Sequence, residues 1–230
     1  MIVERVELGT RCIPYEEAWA RQRRIHERVS RGETPGRMLL LEHSAVYTAG
    51  KLSARDELPA DPGGTPVVTT DRGGKVTWHG PGQLVGYPIV PLPANRDVVA
   101  FVRALESLLI DVAQALGVHA RTVRGRTGVW SMGGDAKVAA IGLRVSRATS
   151  MHGFALNCCN DLAPFERFVP CGIRDAGVTS LSLLAGRRIT PLDAAAIVER
   201  LVAERGLPSP AVATRVHDGE SLMEREVTRA

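Results

Sequence analysis

The segment RGGKVTWHGPGQLVGYP, residues 72 to 88, constrains this chain more than any other stretch. It carries five glycines, two prolines, one histidine and two aromatic rings. That is too much glycine for a helix and too much for an ordinary strand. Consecutive glycines let a backbone approach a ligand with no Cβ in the way, and free N–H groups to point at a carbonyl or phosphate oxygen. The pattern is not a P-loop, since no G-x-x-x-x-G-K-[ST] occurs, nor is it G-x-G-x-x-G opening a helix. Taken alone, it reads either as a ligand-facing loop or as a tight hairpin with His79 as a hydrogen-bonded structural histidine.

The pattern around this segment alternates between short strands and amphipathic helices. Pro14 fits the first turn of a helix whose face carries Tyr15, Ala18, Trp19, Gln22, Ile25 and Val29. MLLLEH reads as a buried strand, AVYTAG as a second extended piece, and Leu52 to Thr65 as a surface loop. PVVTTDRGG runs as a strand into the glycines, and GQLVGYPIVPL leaves them as another, with Pro88 predicting an edge or an ending. Asp97 caps a helix from Val98 to Leu116, closed by Gly117. TGVWSM, KVAAIGLRV and MHGFALN form a meander, and Asp161 to Leu184 reads as loop. Thr190, with Asp193 three residues on, opens a last helix ending near Gly206. These elements predict an α+β fold, a mixed and largely antiparallel sheet flanked by helices.

At 230 residues with 44% hydrophobic content, one large domain is expected, residues 1–206, followed by a charged tail, 207–230. No run of 18 apolar residues predicts a transmembrane helix, and MIVERVELGTRC lacks the features of a secretion signal. The four cysteines, Cys12, Cys158, Cys159 and Cys171, include an adjacent pair that suits a disulfide framework badly. They read as free thiols in a reducing cytoplasm. The net charge is +4, and basic residues concentrate in ARQRRIHERVSR, residues 20 to 31. That helix is either a solvated face or a docking surface for an acidic protein. No basic–aromatic interleaving suggests nucleic acid.

Two further residues could carry chemistry. Lys137 stands directly after a turn and ahead of an apolar strand; alone it reads as a solvated edge residue. Cys171 lies in VPCGI, where Pro170 and Gly172 make an irregular loop that can present a thiol to a cleft. Cys158 and Cys159, at a strand end, read as core packing. The spacing of His152, Cys158, Cys159 and Cys171 matches no usual zinc pattern, so no metal is expected.

Taken in order, RGGKVTWHGPGQLVGYP, KVAAIGLRV, HGFALN and VPCGI resemble the lipoyl(octanoyl) transferases. The resemblance runs from LLLEHSAVYTAG to about Leu181, and the RGG-x-x-T-[aromatic]-HGPGQ block is its most specific part. It implies the fold of the biotin and lipoate protein ligase catalytic domains. It implies Cys171 as the acyl-accepting nucleophile with Lys137 as its partner. His79 is a third candidate, organising the Gly-rich loop or moving a proton. The resemblance also implies an acyl site lined by Arg72, Gly73, Gly74, Lys75, Val76, Thr77, Trp78 and His79, by Ala140, Ile141 and Gly142, and by Gly153, Phe154 and Ala155. The implied donor is acyl carrier protein, which delivers the acyl group on its phosphopantetheine arm, with no cofactor. The implied acceptors are lipoyl domains of 2-oxo acid dehydrogenase complexes and the glycine cleavage H protein. No nucleic acid or membrane partner is implied. The Cys158–Cys159 pair departs from the family pattern, and Trp78 stands where tyrosine is also common.

The chemistry explains those residue types. A thioester is attacked well by a thiolate and poorly by a thiol, and a free cysteine titrates near about 8.5. A lysine ammonium beside Cys171 stabilises the thiolate, whereas a neutral lysine accepts its proton; the sequence leaves both open. Two other readings share parts of the pattern. An ATP-dependent lipoate–protein ligase of the same fold needs no cysteine nucleophile, and a non-catalytic acyl-binding module would use the Gly-rich loop as a clamp.

Overall fold

Within MLLLEH the four residues Met38 to Leu41 are all apolar because both faces of the strand are covered, the signature of a central strand. In the computed structural model, which describes residues 1–92, 97–168 and 176–207, this run contributes β2 (Arg37–Leu41). Met38 and Leu40 enter the larger core cluster, Leu39 and Leu41 the cluster on the opposite face. Around β2 the chain lays down β1 (Ile2–Arg5), β6 (Gln83–Ile89), β7 (Ala120–Val123), β8 (Arg126–Ser131), β9 (Ala136–Ser146), β10 (Thr149–Asn157) and β11 (Gly177–Val178). The order is β1-β2-β6-β10-β9-β8-β7, with β11 on β9. Pairing is antiparallel except for β1 with β2 and β11 with β9. A smaller sheet joins β3 (Val46–Ala49), β4 (Val67–Thr69) and β5 (Thr77–His79) in the order β4-β3-β5.

Helices cover both faces of the large sheet. On one side, α1 (Tyr15–Ser30) packs on β6 and β10, sealing Ile13, Ala18 and Val29 against Leu39, Val85 and Ile89. On the other, α2 (Val98–Ala115) and α4 (Pro191–Arg205) pack together, with α3 (Leu181–Ala185) beside them. Leu105, Leu108, Leu109 and Val112 meet Ala194, Ala195 and Val198 there. Each fully buried Leu or Val contributes roughly 1.5–3 kcal/mol. The caps follow the sequence: Asp97 Oδ1 accepts from Ala100 N at 2.8 Å, and Thr190 and Asp193 form a reciprocal capping box. Among the described residues, no helix is long and apolar enough to cross a membrane.

The structure corrects two expectations, at Pro88 and over residues 161–184. Pro88 marks neither edge nor ending: it sits inside β6, paired with Met38 of β2. It is tolerated because the ladder to β10 stops at Gly86, and beyond it the Ser150 hydroxyl bonds Pro88 O and Val90 N. Residues 161–184 are not all loop: they include a 3-10 turn (Ala163–Arg167), β11 and α3. β1 and β7 are strands that the sequence pattern does not announce. The proposed tail falls almost wholly outside the described residues. Along α1, Arg21 pairs with Glu4 and Arg31 with Glu27, Arg23 lies over the Trp19 ring, and Arg24 and Arg28 are exposed.

Candidate active site

A single turn of the glycine segment brings its backbone against β9. Gly73 N donates to Leu143 O at 2.9 Å, and a Cβ on Gly142 would lie 2.8 Å from Gly73 O. Glycine at position 142 is therefore required by close approach rather than by backbone angle. At the far end of the segment Gly82 has φ +84°, and its carbonyl accepts from both Cys158 N and Cys159 N. Between these anchors β5 pairs with β3, and its side chains alternate. Thr77 and His79 face a cavity of about 530 Å³. Val76 and Trp78 face the opposite way, into a cluster with Tyr47, Phe165 and Phe168.

The cavity gathers Arg72, Gly73, Gly74, Lys75, Thr77, His79, Lys137, Ala140, Ile141, Gly142, Gly153, Phe154 and Ala155 along its wall. Of the candidate lining residues, the structure leaves out only Val76 and Trp78. Cys171 lies outside the described residues. Gly142 and Gly153 are paired in register across β9 and β10, as are Ile141 with Phe154 and Ala140 with Ala155. The two motifs, far apart in sequence, thus form one continuous wall. Lys137 belongs to β9 and is buried; its Nζ lies 4.8 Å from the centroid of the Trp130 ring, whose negative face attracts an ammonium.

The wall has further members that the motifs did not single out as site residues. Tyr15, from the start of α1, Tyr87 and His152 line the inner part of the cavity. His152 has φ +58°, in the left-handed region, although its pairing with Leu143 of β9 is in register, and its ring lines the cavity. Its Nε2 bonds Asp71 Oδ1 at 2.7 Å, and Asp71 also pairs with Arg144. Burial and the nearby Arg72 and Arg144 push the His152 pKa down to about 3, so a neutral imidazole donates to Asp71. His43 is buried too, bonded to Ile13 O and the Tyr87 hydroxyl, with its pKa lowered to about 4 by burial. Burial likewise raises Tyr15 to about 12. The inner chamber is therefore built of neutral rings. His152 precedes Gly153 in the HGFALN motif, the one sequence signal for its place; for Tyr15 there was none.

Arg72 is a buried cation of the wall. Its Nη2 donates to Thr48 O at 2.6 Å and to Thr48 Oγ1 at 2.8 Å, and its Nη1 to Gly73 O at 3.0 Å. The guanidinium thereby ties the glycine turn to β3. Lys75 forms an ion pair with Glu57 at the rim. Of the other thiols, Cys158 is fully buried in the main core and Cys159 is half-buried.

Residues 14–204 match the family of the lipoyl protein ligase A/B catalytic domain. The octanoyltransferase of Salinispora tropica is 54% identical over 199 residues, covering 85% of this chain and 92% of that protein. The octanoyltransferase of Acidothermus cellulolyticus is 56% identical over 200 residues, covering 86% and 90%. Among solved structures, the bi-partite lipoate protein ligase of Thermoplasma acidophilum superposes with a TM-score of 0.64 at 14% identity, over 88% of this chain and 82% of that one. That likeness shows the shared fold, a mixed sheet flanked by helices, while the sequence identities above carry the closer relationship. The chain belongs to the lipoyl protein ligase A/B catalytic domain family and, within it, to the octanoyltransferases.

Proposed function

We propose that the protein transfers an octanoyl group from acyl carrier protein to the acceptor lysine of lipoyl domains, through a thioester on Cys171. The observation that carries this reading is a largely apolar cavity, wide enough for an acyl chain, with the buried Lys137 amine on its wall. Val178, seven positions after Cys171 in the sequence, pairs in register with Lys137. This supports the pairing of the two residues in one site.

In the first half-reaction the Cys171 thiolate attacks the thioester carbonyl. The bond between that carbon and the carrier sulfur breaks, and the carrier thiolate takes a proton from the Lys137 ammonium. In the second, the target amine attacks the acyl-enzyme and passes a proton to the now neutral Lys137. The carbon–sulfur bond to Cys171 breaks, leaving an amide and a restored thiolate. Both steps pass through an oxyanion, for which backbone N–H groups beside the glycine turns are suited donors. Thioester to amide is downhill, so the reading requires neither ATP nor another cofactor. It places the enzyme in the cytoplasm, where a nucleophilic thiol stays reduced.

Intact mass after incubation with octanoyl-carrier protein tests the reading. A single octanoyl adduct, labile to hydroxylamine and formed without ATP, is expected. A hydroxylamine-labile adduct on Cys171→Ala, which has no nucleophile at that position, would refute the assignment of the nucleophile. Dependence on ATP and free octanoate would restore the ligase reading.

A further inference from the structure

We propose that Gln83 and Asn157 are positioning residues for acyl transfer. With His79 they form one polarised hydrogen-bond chain from Arg72 to the backbone of Lys137, and that chain holds His79 as an Nδ1–H imidazole with no lone pair left for the substrate. The role at Lys137 rests on the function proposed above. The chain itself rests on geometry alone.

The direction of every link follows from groups whose roles are fixed. Thr179 O and Trp78 O are backbone carbonyls and can only accept. Asn157 must therefore turn Nδ2 to Thr179 O, at 3.0 Å, which leaves its Oδ1 facing Gln83 at 2.9 Å. Gln83 must place Nε2 there, where it also donates to Trp78 O at 3.3 Å. Its Oε1 then faces His79 Nδ1 at 2.8 Å, so Nδ1 carries the proton. The opposite end gives the same answer. Arg72 can only donate, and it does so to Thr48 Oγ1 from Nη2 at 2.8 Å and from Nε at 3.3 Å. The Thr48 hydroxyl proton is left for His79 Nε2, at 3.3 Å. An Nδ1–H imidazole accepts there. Two independent ends thus assign the same tautomer.

The chain is shielded from bulk solvent, since Thr48, His79, Gln83 and Asn157 are all buried. Burial pushes His79 well below the usual histidine range, and the facing His43, Arg72 and His152 add to this; the Gln83 bond opposes it. Tyr15 stacks on the ring at 6.2 Å between centroids. Beyond Asn157, Thr179 N donates to Lys137 O at 3.0 Å, next to the Val178–Lys137 pair. The amide of Asn157 therefore fixes the strand that flanks Lys137. Through Gln83 it joins that strand to the HGPGQ turn. A buried relay with each donor matched to one acceptor transmits position and tolerates no reversal at one link.

Two measurements test this. In protein labelled with ¹⁵N at histidine, long-range proton–nitrogen spectra should show His79 with a protonated Nδ1 and a bare Nε2, unchanged from about pH 5.5 to 8. An Nε2–H tautomer, or titration in that range, overturns the chain whatever Lys137 does. Asn157→Asp and Gln83→Glu each replace a donor with a carboxylate. Both should slow single-turnover acylation by octanoyl-carrier protein at least about ten-fold with KM held within about two-fold, since misplacement of a reacting group acts on the chemical step. Gln83→Glu should also raise the pH at which His79 takes a second proton, because a carboxylate then faces Nδ1. Wild-type acylation in both variants overturns the positioning role. A Lys137→Ala variant that acylates normally overturns the reading of the lysine, while the tautomer still reports on the chain.

Discussion

Replacing Gly142 with alanine should loosen the site without touching any proposed reacting group. The backbone angle at Gly142 suits any residue, so the effect comes from contact alone. The added Cβ would lie 2.8 Å from Gly73 O and 3.4 Å from Arg72 Cδ. Restoring an ordinary 3.4 Å contact to the carbonyl moves the glycine turn away from β9 by about 0.6 Å. The carbonyl belongs to the backbone and cannot rotate aside. Its own residue donates to Leu143 O, and it accepts from Arg72 Nη1, so both bonds stretch. Overpacking of this kind costs about 1–3 kcal/mol, equivalent to a fall of about 2–12 °C in Tm for a chain of this size. A displacement of more than half an ångström in a wall of the acyl site should slow acylation on the order of ten-fold. Thermal unfolding and single-turnover acylation followed by intact mass measure the two effects. Gly177→Ala is the control, since its Cβ would meet nothing closer than 3.9 Å. A Gly142→Ala protein that melts within about 1 °C of the parent and acylates at the parent rate would refute the packing argument.

Other consequences follow from the buried rings and thiols. His43 and His152 have pKa values lowered from 6.5 to about 4 and about 3, so below pH 6.5 the unfolded chain binds protons that the native chain refuses. Stability should be unaffected by these groups above that pH and fall as pH drops, each group losing about 2 kcal/mol by pH 5; urea melts that are equally stable at pH 7.5 and 5 would contradict this. Tyr87→Phe removes the donor to His43 Nε2, a 2.6 Å bond, and should destabilise the fold by about 1–3 kcal/mol in the same melts, because a buried acceptor is left unmade. Cys158 is fully buried and its thiol is raised well above its ordinary range by burial, so peptide mapping after alkylation should find it protected in native protein and modified only on unfolding.

Some of this was written locally in the chain. The stripes of α1 and α2, the caps at Asp97 and Thr190, and the doubly covered β2 follow from period, turn chemistry and apolar runs within a dozen residues. The motifs likewise name most of the cavity wall, because a wall that must approach a ligand needs glycine and small residues at set places. Tertiary pairing decided the rest. The four residues of β7 are too short and too polar to announce a strand, and they become one only against β8. β1 and β11 take part through parallel pairing with residues far along the chain, which no local pattern encodes. Val76 and Trp78 belong to the same motif as Thr77 and His79, yet alternation on β5 sends them to the opposite face, and only the pairing with β3 says which face holds the cavity. Tyr15, Tyr87 and His152 converge there from three separate elements. A sequence can state that a residue is buried or bare; which buried residues share one chamber is set by register across the sheet.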